Sequence, residues 1–333
     1  MTRSLPAGIM PDFREALPDL LQQNYGEWVW HESIAPGVLH HLTAKGVECI
    51  TVRVQLPPNG LLSSATLRLL ARWMREHARG GRKTSRQSFE LVGVAADRLE
   101  DLLADIRAHG FVVGGTHNAL RQLKGCTGHV HCQNGAIDPP SIMKSLGDAL
   151  YEDFVNYRYP APLKLSVSGC PNQCGAGIEG DIGILGVYMD APKVNDQALA
   201  SFSPDFGLLC RWCPGGAIKL KQVPEGRSIA INEERCIRCS SCAMVAPEAI
   251  TMGPARGAAI AVGGRGPSGK DAPRLARVAF PSVPVNPPTY PELVARVQTI
   301  IEAWRAGARA GERMADYIDR VGWEPFLQQL GAG

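Results

Sequence analysis

Hydrophobic and polar positions alternate from Glu48 to Leu56 and again from Ser88 to Val94, the two-residue period of half-buried strands. Between them, Ser63 to Ala78 places Leu67, Leu70 and Met74 on one helical face. Ala96 to His109 repeats the helical period and ends before Gly110, a C-cap position. A third strand is expected from Phe111 to Val113. Strand–helix–strand–helix–strand predicts an α+β half, residues 46–115, with its helices on one face of a sheet. Residues 1–45 carry aromatics at Trp28 and Trp30 but little periodicity, and are expected to form an N-terminal arm.

The pattern changes after this half. Pro140 to Tyr157 reads as one helix with Ile142, Met143, Leu146, Leu150 and Phe154 as its apolar stripe. Leu163 to Val167 and Ile182 to Tyr188 read as short strands. From Phe206 to Met252 short apolar pieces, tight turns and cysteines replace the longer periods. This is the size of a small ferredoxin module, residues 205–254, inserted into a larger domain of 116–204 and 255–333. The domain resumes at Ala258 to Val262, passes a Gly/Pro/Lys-rich loop from Gly263 to Pro273, and ends in two helices, Glu292 to Trp304 and about Gly311 to Val321.

Composition narrows the function classes. The chain has 333 residues, 45% hydrophobic and 20% charged, as in globular proteins with a real core. A net charge of +3 argues against a general nucleic-acid binder and leaves room for a local basic pocket. No run reaches the ~18–20 apolar residues of a membrane span. Met1 to Asp19 lacks the apolar core of a secretory signal, so a cytoplasmic location is expected. A reducing compartment disfavours disulfides. Nine of the ten cysteines lie in short-spaced groups, which is how metal ligands are arranged.

Cys126 and Cys132 form C-x5-C, and Cys170 and Cys174 form C-x3-C after 37 intervening residues. Four thiolates satisfy the four irons of a [4Fe–4S] cluster. Zinc knuckles use gaps of two to four residues, so the five-residue gap speaks against zinc. The second group, Cys236-Ile-Arg-Cys239-Ser-Ser-Cys242 followed by Ala246-Pro247, is a ferredoxin run lacking its last cysteine. Cys213-Pro214 upstream supplies a fourth ligand, giving a second [4Fe–4S] set of Cys213, Cys236, Cys239 and Cys242. Cys210 remains as a spare thiol and Cys49 as core.

The paired spacing, with Ser168-Gly-Cys-Pro-Asn-Gln-Cys-Gly175 and Thr84-Ser-Arg-Gln-Ser-Phe-Glu90, resembles the sulfite and nitrite reductase superfamily. Within it the chain is similar to the β subunits of dissimilatory sulfite reductase. That likeness runs through Asn24–Trp28, Pro36–Leu39, Gly128–Cys132, Pro160–Pro162, Val262–Gly264 and Gly322–Glu324, nearly the whole chain. The resemblance implies two sulfite-reductase-type α/β sandwich halves with an inserted ferredoxin-like [4Fe–4S] module. It implies sirohaem beside the first cluster, with Cys174 bridging cluster and sirohaem iron, and multi-electron reduction of sulfite toward sulfide or the reverse. An α subunit in an α2β2 assembly is the implied partner, with an electron donor and a small sulfur-carrier protein as further candidates. A nitrite or anaerobic sulfite reductase, or a non-catalytic electron-transfer subunit, are the alternatives.

Sirohaem carries many carboxylates and sulfite is an anion, so both call for fixed cations. The resemblance assigns Arg86, Arg121 and Lys164 to the substrate, and Arg53, Asn172, Arg265 and Lys270 with Cys174 to the cofactor. Lys124 falls beside the same segments. Two positions depart from the family pattern: Pro162 stands in the first place of Lys-x-Lys, and Gln55 replaces a sulfite-binding arginine. The productive pocket is therefore expected to borrow basic residues from the α subunit. His129 and His131 flank Cys132 and read as hydrogen-bond donors or packing groups, or as proton carriers.

Overall fold

A computed structural model describes residues 13–266 and 272–332. The chain divides into two compact units. One runs to Gln122 and includes Tyr151–Pro162; the other comprises Leu123–Leu150 and Leu163 onward.

The first unit is built on five antiparallel strands: β1 (Trp28–Ala35), β2 (Val38–Thr43), β3 (Glu48–Val54), β4 (Gly80–Lys83) and β5 (Phe89–Val94). Their spatial order is β1-β2-β3-β5-β4. Helices Ser64–His77 and Leu99–Ala108 bring Leu70, Trp73, Leu102 and Ile106 against Val52, Val54 and Leu91, forming one core. Ser63 starts the first helix by accepting the Thr66 N–H at 3.0 Å. Because side chains alternate along a strand, burying Val52 and Val54 turns Cys49, Thr51 and Arg53 to the opposite face.

The second unit holds a mixed sheet of β6 (Lys124–Gly125), β7 (Leu165–Ser168), β8 (Ile182–Tyr188), β9 (Arg256–Val262) and β10 (Arg277–Pro284). β6, β7 and β8 are parallel, and β9 and β10 continue the sheet antiparallel. β8 and β9 are apolar at nearly every position because both faces are covered. Helices Pro139–Ala149 and Pro291–Gly307 contribute buried Ile142, Leu146, Val297, Ile300 and Trp304. The cysteine-rich segment has its own core of Leu199, Phe206, Leu209, Ile218, Ile229 and Ile250. It contains helices Phe206–Trp212 and Ser241–Val245 and the hairpin Ile218–Val223/Gly226–Ile231. Pairing of Lys193–Val194 with Ile250–Thr251 ties its two ends together.

Several elements differ from the sequence reading. The expected arm supplies β1 and β2. β1 is an edge strand exposed along most of its length, so it carries no in-out alternation to read. The helix expected over 140–157 breaks at Leu150 (φ −113°, ψ 20°) and resumes as Tyr151–Val155, where the chain changes unit. Phe111–Val113 makes a single bridge, Val54 to Val113, and the Gln55 N–H donates to Val112 O at 2.8 Å. β4, β10 and the helix Trp323–Gln329 had no clear periodic signal. Residues 1–12 of the arm, and 267–271 of the Gly263–Pro273 loop, lie outside the described residues.

One polar group sits at the centre of the second unit. Asp181, with no exposed surface, accepts from Arg313 through both carboxylate oxygens at 2.8 Å, and from the Lys164 N–H at 2.8 Å. Burial pushes its carboxyl upward, and the Arg313 guanidinium opposes this. Replacing it by Ala leaves a nearly buried guanidinium without its counterion. Asp181→Ala is expected to lower stability by about 3–5 kcal/mol, read as a shifted midpoint in chemical unfolding.

Candidate cofactor site

Parallel strands end at the same edge of a sheet. Cys126 follows β6 and Cys170 follows β7, so pairing of Lys124 with Ser166 and Gly125 with Val167 delivers both cysteine pairs to one place. The Cys126 N–H bonds Val167 O at 3.2 Å, and the Gly169 N–H donates to Cys126 Sγ at 3.1 Å. Cys132 ends the turn Gly128–Val130, its N–H bonded to Gly128 O at 3.0 Å. The loop carrying Cys174 turns on left-handed Gln173 and Ala176 and passes against β8. A Cβ at Gly183 would collide with the Gly177 carbonyl, and one at Gly186 with the Gly169 carbonyl, so β8 needs glycine at both positions.

Electrostatics show that the four thiols are neighbours. Burial pushes the Cys170 thiol up, the Asn172 N–H partly offsets this, and Cys132, Cys126 and Cys174 push it further. Cys170 is buried, Cys126 and Cys132 are half-buried, and Cys174 is exposed. Zinc needs its thiolates about 2.3 Å from a single centre, whereas a cubane spreads four thiolates over four irons. The donor set fits the cubane. His129 Nε2 donates to Gly135 O at 3.1 Å and His131 Nε2 lies 3.4 Å from Thr127 Oγ1, both on the exposed side of the Cys126–Cys132 loop.

Cys213, Cys236, Cys239 and Cys242 line one apolar cavity with Leu209 and Ile218. The Ala217 N–H donates to Cys213 Sγ at 3.2 Å, and left-handed Arg238 and Ser240 shape the Cys236–Cys242 turn. Burial, with Cys239 and Cys236 nearby, drives the Cys242 thiol up to about 11. Cys210 packs into the same segment's core and does not line this cavity.

The first unit carries the larger cavity, about 890 Å³, on the sheet face opposite its helices. Its walls include Arg53, Arg82, Arg121, Glu90, His31 and His41. Glu90, 2% exposed, accepts from Arg53 Nε and Nη2 at 3.1 and 2.6 Å and from Arg82 Nε at 2.7 Å. Burial alone would raise its carboxyl, but the two guanidinium groups outweigh burial and hold it below the ordinary range. Arg53 Nη1 and Arg121 Nη1 both donate to Gly115 O, at 3.1 and 3.2 Å. Burial, then His31, keeps His41 below the usual imidazole value. Arg82, Glu90, His31 and His41 were not singled out from the sequence, because their convergence depends on strand register.

The remaining predicted residues fall in different surroundings. Arg86 Nε donates to Gln122 O at 3.0 Å in the first unit. In the second, Lys164 is half-buried at the start of β7, and Lys124 lies in β6 beside Cys126. Asn172 is exposed and contributes its N–H to Cys170. Arg265, 5% exposed, donates to Asp316 at 2.5 Å and pairs by backbone with Arg274. Lys270 lies outside the described residues.

A family model described as the nitrite and sulphite reductase 4Fe-4S domain matches residues 116–332, and the ferredoxin-like half domain of the same reductases matches 41–109. The chain is 34% identical to the dissimilatory-type sulfite reductase β subunit of Archaeoglobus fulgidus, over 96% of its own length and 89% of that protein. The chain belongs to this β-subunit family. Within the family, the β subunit of Nitratidesulfovibrio vulgaris is 30% identical over 96% of this chain and 86% of its own length. A crystal structure of dissimilatory sulfite reductase I shares the fold: TM-score 0.81 at 20% identity, over 94% of this chain and 79% of that one. The fold class of two reductase halves in a mixed α+β chain agrees with the sequence reading. The cysteine-bearing half is the family's iron–sulfur domain. Among the described residues no helix is long and apolar enough to cross a membrane.

The Glu90 cluster carries a pH signature. Its folded carboxyl lies below the unfolded value, so the stabilisation is complete above the ordinary carboxylate range and is lost as pH falls through the folded pKa. Glu90→Gln is expected to cost about 3 kcal/mol near pH 7. The difference from wild type should narrow as pH falls below the ordinary carboxylate range in paired urea titrations.

Proposed function

We propose that the chain is the β subunit of a dissimilatory-type sulfite reductase, acting with an α subunit to reduce sulfite toward sulfide or to run the reverse reaction. The observation that carries this reading is the gathering of Cys126, Cys132, Cys170 and Cys174 at one sheet edge, with Cys174 the exposed member. These four would hold a [4Fe–4S] cluster, and Cys174, facing outward, is the member suited to share its sulfur with sirohaem iron. Cys213, Cys236, Cys239 and Cys242 would hold a second cluster. When bound, these groups would relay electrons and supply the metal centre that reduces a sulfur oxyanion.

The chain's own residues set the conditions. N–H groups of Gly169, Asn172 and Ala217 donate to thiolates, which lowers the electron density each sulfur presents and makes a bound cluster easier to reduce. Arg86, Arg121 and Lys164 are the proposed anion-neutralising groups, and Arg53, Asn172, Arg265 and Lys270 the proposed cofactor contacts. Asp181 fixes the Lys164 backbone from which its ammonium projects. Arg53 and Arg82 share the single carboxylate of Glu90, which offsets one of their two charges, so less positive charge remains for a substrate anion. This supports a division of labour in which the α subunit supplies part of the basic set; chains named as α subunits also resemble this one. The same balance favours the second reading, a non-catalytic electron-transfer subunit. The α2β2 stoichiometry, a sulfur-carrier partner and a cytoplasmic location, where the ten free cysteines stay reduced, belong to the proposal.

Analysis of the αβ complex tests the assignment. Two cubanes on this chain contribute roughly eight irons and eight sulfides, and Cys239→Ser should remove about half of them. Cys174→Ser should abolish the spectroscopic coupling between sirohaem and cluster. A complex without sirohaem bands rules out reductase chemistry on this chain.

The basic residues give a separate expectation. Arg86→Ala with Arg121→Ala should lower sulfite turnover by about ten- to a hundredfold, a loss of about 1.4–2.7 kcal/mol. Complete abolition with cofactors retained would place the whole anion site on this chain and overturn the division.

A further inference from the structure

The inserted module reaches the surface with an unusual edge. Trp212 and Ile237 both line the cavity of Cys213, Cys236, Cys239 and Cys242, yet they are 63% and 55% exposed. They run from the thiols to solvent. Met244, two residues beyond Cys242 on its helix, is 51% exposed. Scattered apolar residues on a surface need no explanation, but Trp212 and Ile237 share one cysteine cavity, and Met244 lies on the helix of its member Cys242.

Beside this patch three exposed arginines outnumber two exposed carboxylates, Glu233 and Glu234, which precede Arg235 in the chain. Arg211, Arg235 and Arg238 adjoin Trp212, Cys236 and Ile237 in the chain, and all three are exposed. A Cβ on Gly216 would meet Arg235 Nη2 at 3.0 Å, which puts that guanidinium over the Cys213–Gly216 turn. Arg238, in a left-handed conformation (φ 55°), sits on the tight turn between Cys236 and Cys239. Among the described residues none of these three arginines takes part in an ion pair with an acidic side chain, and no Asp or Glu lines the cysteine cavity. Across Phe206–Met252 six basic residues face four acidic ones, Glu225, Glu233, Glu234 and Glu248.

We propose that the Trp212–Ile237 edge, rimmed by Arg211, Arg235 and Arg238, is the docking patch for a small acidic one-electron carrier protein of the ferredoxin or flavodoxin kind. This deepens the proposed function, since it requires a cluster in the module. A small apolar centre with a charged rim suits a brief encounter that buries little area. Opposite charge raises the encounter rate and orients the partner. The transfer is balanced simply: the reduced carrier loses one electron, the oxidised cluster gains it, and no atom or proton moves.

The test uses the cofactor-loaded αβ complex. Reduction of the module's cluster by reduced plant-type ferredoxin, an acidic carrier, is followed by stopped flow beside reduction by methyl viologen, a small cation. The double variant Arg211→Glu/Arg235→Glu is expected to slow the ferredoxin reaction at least ten-fold and abolish its decline with salt. Its iron content and viologen-driven sulfite turnover should stay at the wild-type level. An unchanged ferredoxin rate, or an equal fall with both donors, overturns the docking patch. If the variant loses iron, the unmodified complex decides: its ferredoxin rate must fall several-fold between about 20 and about 200 mM salt, and a salt-insensitive rate overturns the proposal. A wild-type complex without a reducible cluster in the module overturns the functional reading as well, an outcome distinct from the others.

Discussion

The short parallel pairing of β6 and β7 is the constraint on which the cofactor half depends. Only two residues of β6 take part, yet they decide where the two cysteine pairs meet. An antiparallel pairing would send Cys126 and Cys170 to opposite ends of the sheet. In the parallel arrangement both loops leave from one edge, and the Gly169 N–H ties one loop to the other through Cys126 Sγ. β8 completes this by offering glycine where the Cys174 loop crosses it. Cys126 and Gly169, 43 positions apart in the chain, are thus brought to hydrogen-bond distance.

The N-terminal unit solves a different problem. Its sheet turns one face to a hydrocarbon core and lines a cavity with charge on the other. A carboxylate as buried as Glu90 needs firm partners, and two arginines from β3 and β4 provide them on either side of β5. The guanidinium of Arg53 is held from two sides, by Glu90 through Nε and Nη2 and by the Gly115 carbonyl through Nη1. Such a group is a fixed dipole-and-charge wall more than a flexible hook. Its geometry is settled before any anion arrives.

Much of this was legible in the sequence, and the limits have physical reasons. Cysteine spacing pointed to both proposed thiolate sets because ligand chemistry permits few gaps. The helix Ser64–His77 and strand β8 were legible because one is amphipathic and the other uniformly apolar. β1 was not, since an exposed edge strand has no burial pattern, and β4 is four residues long. The Arg53–Glu90–Arg82 cluster was hidden because it lies across three strands, and register is fixed by packing that no single segment reveals. Arg86 and Arg121 were proposed from motif likeness, and Arg82 carried no comparable motif.

The break at Leu150 has a consequence for how the chain is made. Tyr151–Pro162 returns to the first unit, where Phe154 lies against Gly114 and Gly115 and Tyr157 meets Ser33 at 2.8 Å. The Leu120 N–H also bonds Asp153 O at 2.8 Å. During synthesis the N-terminal unit is therefore incomplete when Gln122 emerges, and it must wait for forty more residues before its last wall is in place. Those residues include the first cysteine pair. β7, whose pairing with β6 gathers Cys126 with Cys170, comes later still, so the ribosome releases a finished scaffold before it releases a finished set of proposed ligands.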